Sequence, residues 1–228
     1  MLAEAENPEL HDRAFDMTYA WHFHFVMNEI AKEKKSVLDI FDYLENKSQE
    51  FPEGAYRLHF TSNHDENSWK GHAYERLGDA VKTFAALSVT LEGMPLLYNG
   101  QEAGLNKRLE FFEKDTISWE DLSMSNFYRN LFKLKKDNQA LWNGKYGGGI
   151  EVISSKDDSL GFCFIREKEN SKVLSVFNLS NKDINIDVKS NNLKGEYIRF
   201  LSGDQVSFGQ IDSLILSPWE FRIYTNKK

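Results

Sequence analysis

The feature that most constrains the fold is a change of rhythm at Gly147-Gly148-Gly149. Before it, short apolar runs of strand character alternate with segments whose apolar residues recur at i, i+3, i+4 and i+7, the helical spacing. After it, helical periodicity stops. The chain continues as a series of short β-rich runs separated by Asn, Asp, Ser and Gly. Alternation in the first part implies right-handed βαβ units and a parallel sheet. The second part has the pattern of a small antiparallel sandwich. The predicted division is residues 1–146 and 147–228.

The individual elements follow from the same reasoning. Met1-Leu2-Ala3, running into Glu4, reads as the end of a strand, and Ala14–Ala20 as the next strand. Phe23, Val26, Met27, Ile30 and Ala31 form a helical stripe. A second helix, capped by Ser36, buries Val37, Ile40, Phe41 and Leu44. Tyr56–Thr61 reads as a strand that delivers Ser62-Asn63-His64-Asp65-Glu66-Asn67 into a loop. A longer helix from about Ala73 carries Val81, Phe84, Ala85, Leu87 and Leu91, with Gly93 expected as its C′ residue and Pro95 as its stop. Pro95-Leu96-Leu97-Tyr98-Asn99 reads as a strand buried on both faces. Phe127, Leu131 and Leu134 mark one more helix. The β-rich runs are Ile150–Ser154, Leu160–Arg166, Val173–Asn178, Ile184–Val188, Glu196–Phe200, Gln205–Phe208 and Leu214–Tyr224, the last interrupted at Pro218. The α/β part holds too few units for a closed barrel of eight.

Composition narrows the function. A formal net charge of −7 argues against nucleic acid, whose binders need a basic face. An aromatic content of 14% supplies flat apolar faces for core filling or for stacking on ligands such as sugar rings. The single cysteine, Cys163, alternates with apolar neighbours and reads as a small buried hydrophobe. No apolar run is long enough to span a membrane. The N-terminus lacks the basic-then-apolar pattern of a signal peptide, and the compartment stays open.

In a parallel α/β sheet, chemistry gathers at the C-terminal ends of the strands. Three polar clusters fall there: Glu4 with Glu6, Asn63-His64-Asp65, and Tyr98-Asn99-Gly100-Gln101-Glu102. Glycoside hydrolysis needs a pair of carboxyls flanking the scissile bond and hydrogen bonds to sugar hydroxyls. A lone His-Asp pair on a loop is more often a turn or cap than a catalytic device. Three such clusters at successive strand ends favour a site.

Phe60-Thr61-Ser62-Asn63-His64-Asp65 resembles the strand-seven motif of the α-amylase family (family 13 of the glycoside hydrolases), whose core is Asn-His-Asp. Gly93-Met94-Pro95 followed by Tyr98-Asn99-Gly100-Gln101-Glu102 is similar to its strand-eight stretch. Leu2-Ala3-Glu4 fits its strand-five motif. Ile117-Ser118-Trp119 and Asn138-Gln139-Ala140-Leu141 resemble the approach to its C-terminal β domain. The resemblance implies a partial TIM (β/α)8 barrel, about strands 5–8, followed by an antiparallel β-sandwich. It implies retaining cleavage, or transglycosylation, of α-glucosidic bonds in starch-like glucans or maltooligosaccharides. Glu4 would be the proton donor, with Glu6 as the alternative and a solvated loop carboxylate as its plainer reading. Asp65 would stabilise the transition state and His64 would hydrogen-bond the sugar, with Asn63, Trp69 and Tyr98 as further substrate-binding residues. Trp69 would either stack on a sugar or pin its own loop.

The family's nucleophilic Asp belongs to strand four and is matched by no residue here. The expectation is therefore a C-terminal fragment that is inactive alone and associates through an open barrel edge. An amylase-like binding or interaction subunit is the rival reading, and an unrelated α/β protein with a chance Asn-His-Asp is a second. No cofactor is expected, since the family's calcium would be held mainly by residues further upstream. His22-x-His24 lacks further ligands at suitable spacing and reads as packing or surface polarity. Trp119 and Trp142 are expected to pack between barrel and β domain.

Overall fold

The computed structural model describes residues 1–154, 159–190, 192–209 and 211–227. Four short strands come first: β1 (Leu2–Ala3), β2 (Met17–Tyr19), β3 (Tyr56–Phe60) and β4 (Met94–Leu96). They form one parallel sheet in the order β1-β2-β3-β4. The register pairs Ala3 with Thr18, Tyr19 with Leu58, and Phe60 with Leu96. Because every strand runs the same way, residues following β1, β3 and β4 emerge at one edge of the sheet. The sequence pattern had Ala14–Ala20 as the second strand, and the paired part is the shorter β2.

Helices α1 (Trp21–Ala31), α2 (Val37–Glu45), α3 (Ala73–Leu77), α4 (Val81–Thr90) and α5 (Ser125–Asp137) follow the strands. Ser36 caps α2 in a reciprocal capping box with Asp39, as its position suggests. The expected single helix from Ala73 is broken by a 3₁₀ turn at Gly78–Ala80. The end of α4 also differs from expectation. Leu91 is its C-cap in extended conformation, and Gly93 has a different duty. With φ +135°, Gly93 brings the chain against β3, where an added Cβ would lie 2.7 Å from His59 Cδ2 and would strike the Arg57 carbonyl.

The two faces of the parallel sheet separate cleanly. Met17, Tyr19, Leu58, Phe60, Met94 and Leu96 share one face, an alternation of period two. Arg57 and His59 point to the helix side and are buried there. The His59 ring meets Phe23 of α1 edge-on, 5.1 Å between centroids. β4 is an edge strand and is only half-buried, contrary to the expectation of burial on both faces.

From Ile150 the chain is antiparallel. A six-stranded sheet has the order β10-β9-β12-β7-β6-β5, and a two-stranded sheet pairs β11 with β8. Here β5 is Ile150–Val152, β6 Gly161–Lys168, β7 Ser171–Asn178, β8 Ile184–Lys189, β9 Gly195–Arg199, β10 Gln205–Phe208, β11 Ile211–Leu216 and β12 Phe221–Asn226. The interruption at Pro218 is where one predicted run divides into two strands of different sheets. Cys163 and Ile165 of β6 pack with Ile186 and Val188 of β8 inside the sandwich. Their neighbours Phe162 and Phe164 turn the other way, into the core of the helices. The continuous apolar run of β6 is thus buried on both faces, and Cys163 is a free thiol within it.

One core therefore continues from the helices into the β part. Arg166 ties the two together. Fully buried, it donates to the carbonyls of Gly148 (2.8 Å), Leu91 (2.9 Å), Thr90 (3.2 Å) and Trp142 (2.8 Å). These include the carbonyls that α4 leaves open at its C-terminus, where a cation is favoured. Trp119 and Trp142 do not pack between the two parts; both are exposed, and Trp142 Nε1 donates to the Lys136 carbonyl. Trp219 takes that place, its ring 6.2 Å from that of Phe84 on α4.

Candidate active site

Glu4 follows β1 and His64-Asp65 follow β3, so the parallel topology brings them to the same edge of the sheet. His64 Nε2 lies 3.5 Å from Glu4 Oε1 and 3.8 Å from Asp65 Oδ1. One donor atom from each of the three falls within 4.8 Å of the others. All three side chains are about half exposed. The three side chains are therefore close enough to contact one bound group together. The same three residues are also spaced to share a cation. Beneath them, the Tyr19 hydroxyl is pushed up by burial and then by the negative charge of Glu4 and Asp65.

Asn63 is placed differently. It is buried beneath the loop, and its Oδ1 accepts the Glu66 amide at 2.8 Å, which closes the turn that carries His64 and Asp65. Tyr98 lies half-buried beyond β4, with its hydroxyl pushed up by burial. Trp69 is exposed on a π-helical turn, Glu66–Lys70, directly after the motif.

Glu6 is not a solvated carboxylate. Nearly buried, it pairs with Arg57 of β3 and accepts the His22 amide at 2.6 Å. That amide belongs to the first turn of α1, whose N-cap residue Ala20 offers no side-chain acceptor. The carboxylate thus caps a helix from outside it and is committed to structure. Glu4 is left as the carboxylate free to face the open edge.

A second set of residues holds the motif loop from behind. His24 of α1 is buried, with Nδ1 3.0 Å from the Phe60 carbonyl and Nε2 3.0 Å from Glu66 Oε2. Its ring stacks on Phe60 at 4.3 Å. Arg76 donates to the carbonyls of Thr61 and Gly71 and to Asn28 Oδ1, each at 2.7 Å. Burial opposes the charge of Glu66, but its hydrogen bond with His24 and the nearby positive charges prevail and lower its pKa. Gln101 joins the two strand-end loops, donating to Thr61 Oγ1 (2.8 Å) and Tyr128 Oη (3.2 Å) while accepting the Tyr98 amide (2.8 Å). None of these supports was legible as such in the sequence. For His24 the local signal was present, since it lies on the buried helical stripe.

Comparison with known proteins agrees with this geometry. Residues 6–148 match the family described as Alpha amylase, catalytic domain. Alpha-amylase 2 of Dictyoglomus thermophilum is 26% identical over 161 residues, which are 65% of this chain and 26% of that protein. Alpha-amylase MalA of Haloarcula japonica is 28% identical over 177 residues, 74% of this chain and 25% of that protein. The maltogenic alpha-amylase AmyB of Thermotoga neapolitana superposes with a TM-score of 0.82 at 19% identity, over 99% of this chain and 54% of that structure. AmyP, solved in complex with maltose, superposes with a TM-score of 0.70 at 15% identity, over 99% of this chain and 55% of that structure. The chain thus spans about a quarter of the length of these curated relatives and about half that of the solved structures. No helix among the described residues is long and apolar enough to cross a membrane. With a family match over more than half its length, and a partial parallel barrel leading into a β domain, this chain belongs to the α-amylase family of glycoside hydrolases.

Proposed function

We propose that this chain supplies the proton donor and the transition-state-stabilising carboxylate of an enzyme that hydrolyses α-glucosidic bonds in starch-like glucans with retention of configuration. The observation that carries the reading is the meeting of Glu4, His64 and Asp65, from two separate strand ends, within 4.8 Å. Glu4 gives its proton to the glycosidic oxygen as the bond to the anomeric carbon breaks. Asp65 accepts hydrogen bonds from hydroxyls of the sugar left behind and balances its oxocarbenium charge. His64 donates to a further hydroxyl of that ring. Retention also needs a nucleophilic carboxylate on the opposite face of the ring. The family's strand-four Asp is matched by no residue of this sequence, and Glu6 is committed to Arg57 and α1. These 228 residues alone are therefore inactive towards maltooligosaccharides in this reading.

The test uses the enzyme that joins this chain to a strand-four Asp. Asp65→Asn should lower kcat at least about a hundred-fold with the circular dichroism spectrum unchanged. Wild-type turnover in that variant removes Asp65 from the mechanism. NMR of the first product should show the α-anomer, and release of the β-anomer would refute retention. Self-association is a further part of the proposal. β1 and β4 are open sheet edges, and Met1 and Leu2 expose apolar surface beside one of them. The 228-residue chain should sediment as a concentration-dependent oligomer, and a monomer at all concentrations would refute this.

A further inference from the structure

We propose that the cavity at the opposite end of the parallel strands from the acid corner is a separate binding site, for a small neutral polyhydroxy molecule. The inference does not rest on the proposed function and uses none of its residues.

Glu4 and His64-Asp65 follow their strands. The cavity instead gathers the chain entering β3 and the chain entering β4, together with the end of α2 and the start of β5. Its volume is about 410 Å³. Small-molecule sites run from about 300 to about 1,000 Å³, so this one suits a small occupant. Tyr43 of α2 and Arg57 and His59 of β3 line it. Each is more than nine-tenths buried. Yet Tyr43 Oη, Arg57 Nε, Arg57 Nη1 and His59 Nδ1 have no hydrogen-bond partner among the described residues. A buried polar atom without a partner bears the full cost of leaving water, and native proteins leave few of them. Four such atoms, on three side chains that line one cavity, mark a site whose occupant completes them.

The chemistry of these atoms selects the occupant. His59 Nε2 is 3.0 Å from the Glu92 carbonyl. A carbonyl can only accept, so Nε2 carries the proton and Nδ1 is a lone-pair acceptor. The occupant must donate there. Arg57 can only donate, so the occupant must accept from it, and Tyr43 Oη can do either. A hydroxyl group both donates and accepts, and a polyol carries several on one small frame. The charge balance excludes an anion. Arg57 is already paired with Glu6, and its Nη2 also donates to the Tyr19 carbonyl at 2.8 Å. Glu45, Glu53 and Glu92 belong to the lining as well, so an anion would meet a net negative wall. Phe51 lies over the Arg57 guanidinium, 3.4 Å from its central carbon to the ring centre, and lines the same cavity. Ring surface beside polar atoms matches the mixed C–H and hydroxyl surface of a polyol. Nothing in residue spacing marks this site, because Tyr43 and the β3 pair come together only through the packing of α2.

The experiment follows the imidazole nitrogens of the 228-residue chain by long-range proton–nitrogen NMR, with His59→Gln to assign the His59 signals. Glucose and sorbitol are titrated separately. A saturable shift of His59 Nδ1 is expected with one or both. A response to both indicates a general polyol site, and a response to glucose alone narrows it to a pyranose. Tyr43→Phe removes one hydroxyl and keeps the ring, so the fold should persist, which circular dichroism checks. It should weaken the binding about ten-fold. Asp65→Asn should leave the Nδ1 titration unchanged; if it abolishes the shift, the signal comes from the acid corner and the inference fails. Unchanged affinity in Tyr43→Phe also overturns it. So does a wild-type shift that is absent or grows without saturation, which would mean that the cavity takes solvent only. Inorganic phosphate should not move the signal, and a saturable response to it overturns the assignment of a neutral occupant.

Discussion

His59 makes the stability of this chain depend on acid in a way that can be calculated. It lies on the helix side of β3, fully buried, and shares one hydrogen bond, Nε2 with the Glu92 carbonyl at 3.0 Å. Burial is the main reason its pKa falls from 6.5 to about 3, with Arg57 adding to the effect. A depressed pKa means that the unfolded chain takes up this proton first as pH falls. Stability is therefore fully present above about pH 6.5, declines as the unfolded state is protonated, and levels off below about pH 3. Within the window the slope is about 1.4 kcal/mol per pH unit. From about pH 7.5 to about pH 4.5, His59 alone should remove roughly 3 kcal/mol. His59→Gln can still donate to the Glu92 carbonyl and has no proton to gain. Urea unfolding of both proteins at the two pH values, followed by tryptophan fluorescence, isolates the term, because the carboxylates common to both cancel in the difference. The wild type should lose roughly 3 kcal/mol more than the variant on acidification. Parallel losses would refute the assignment of His59 as a buried neutral ring.

Three further outcomes follow from other buried positions. Gly93→Ala should destabilise the chain by more than about 2 kcal/mol in chemical denaturation, because φ is +135° and the new Cβ would meet His59 and the Arg57 carbonyl. Lys135 is buried with its ammonium on the Leu141 carbonyl at 2.7 Å, and burial, then Arg166, lowers its pKa from 10.5 to about 7. The unfolded chain holds that proton longer, so stability should rise between about pH 7 and about pH 10.5, and Lys135→Met should flatten the rise in a pH series of unfolding midpoints. Glu6→Gln should cost about 3–5 kcal/mol by leaving Arg57 buried without its counter-charge, a loss measurable in urea.

How far the site was legible depends on the distance over which each residue's role is decided. Strand–helix alternation followed by β-rich runs is a local pattern, and the structure has a parallel sheet with helices followed by antiparallel strands. Parallel topology then does the rest for Glu4 and His64-Asp65, because successive parallel strands must deliver their C-terminal residues to one edge. Their meeting was legible without any pairwise information. Glu6 was read as solvated because its partner, Arg57, is 51 residues away and on a strand whose alternation hides a buried cation. Half-burial of β4 was equally hidden: an apolar run records what a strand could bury, whereas its exposure depends on which neighbours flank it in the sheet. Trp119 and Trp142 were assigned by size alone, and size does not say which tryptophan reaches the seam; Trp219, beside the Pro218 break, does. The supports of the loop, His24, Arg76 and Gln101, act through hydrogen bonds to backbone carbonyls and to each other's neighbours. Such contacts leave no mark in residue spacing. The convergence of Glu4, His64 and Asp65 was therefore readable because it follows from topology, while the scaffold that fixes their geometry had to be seen.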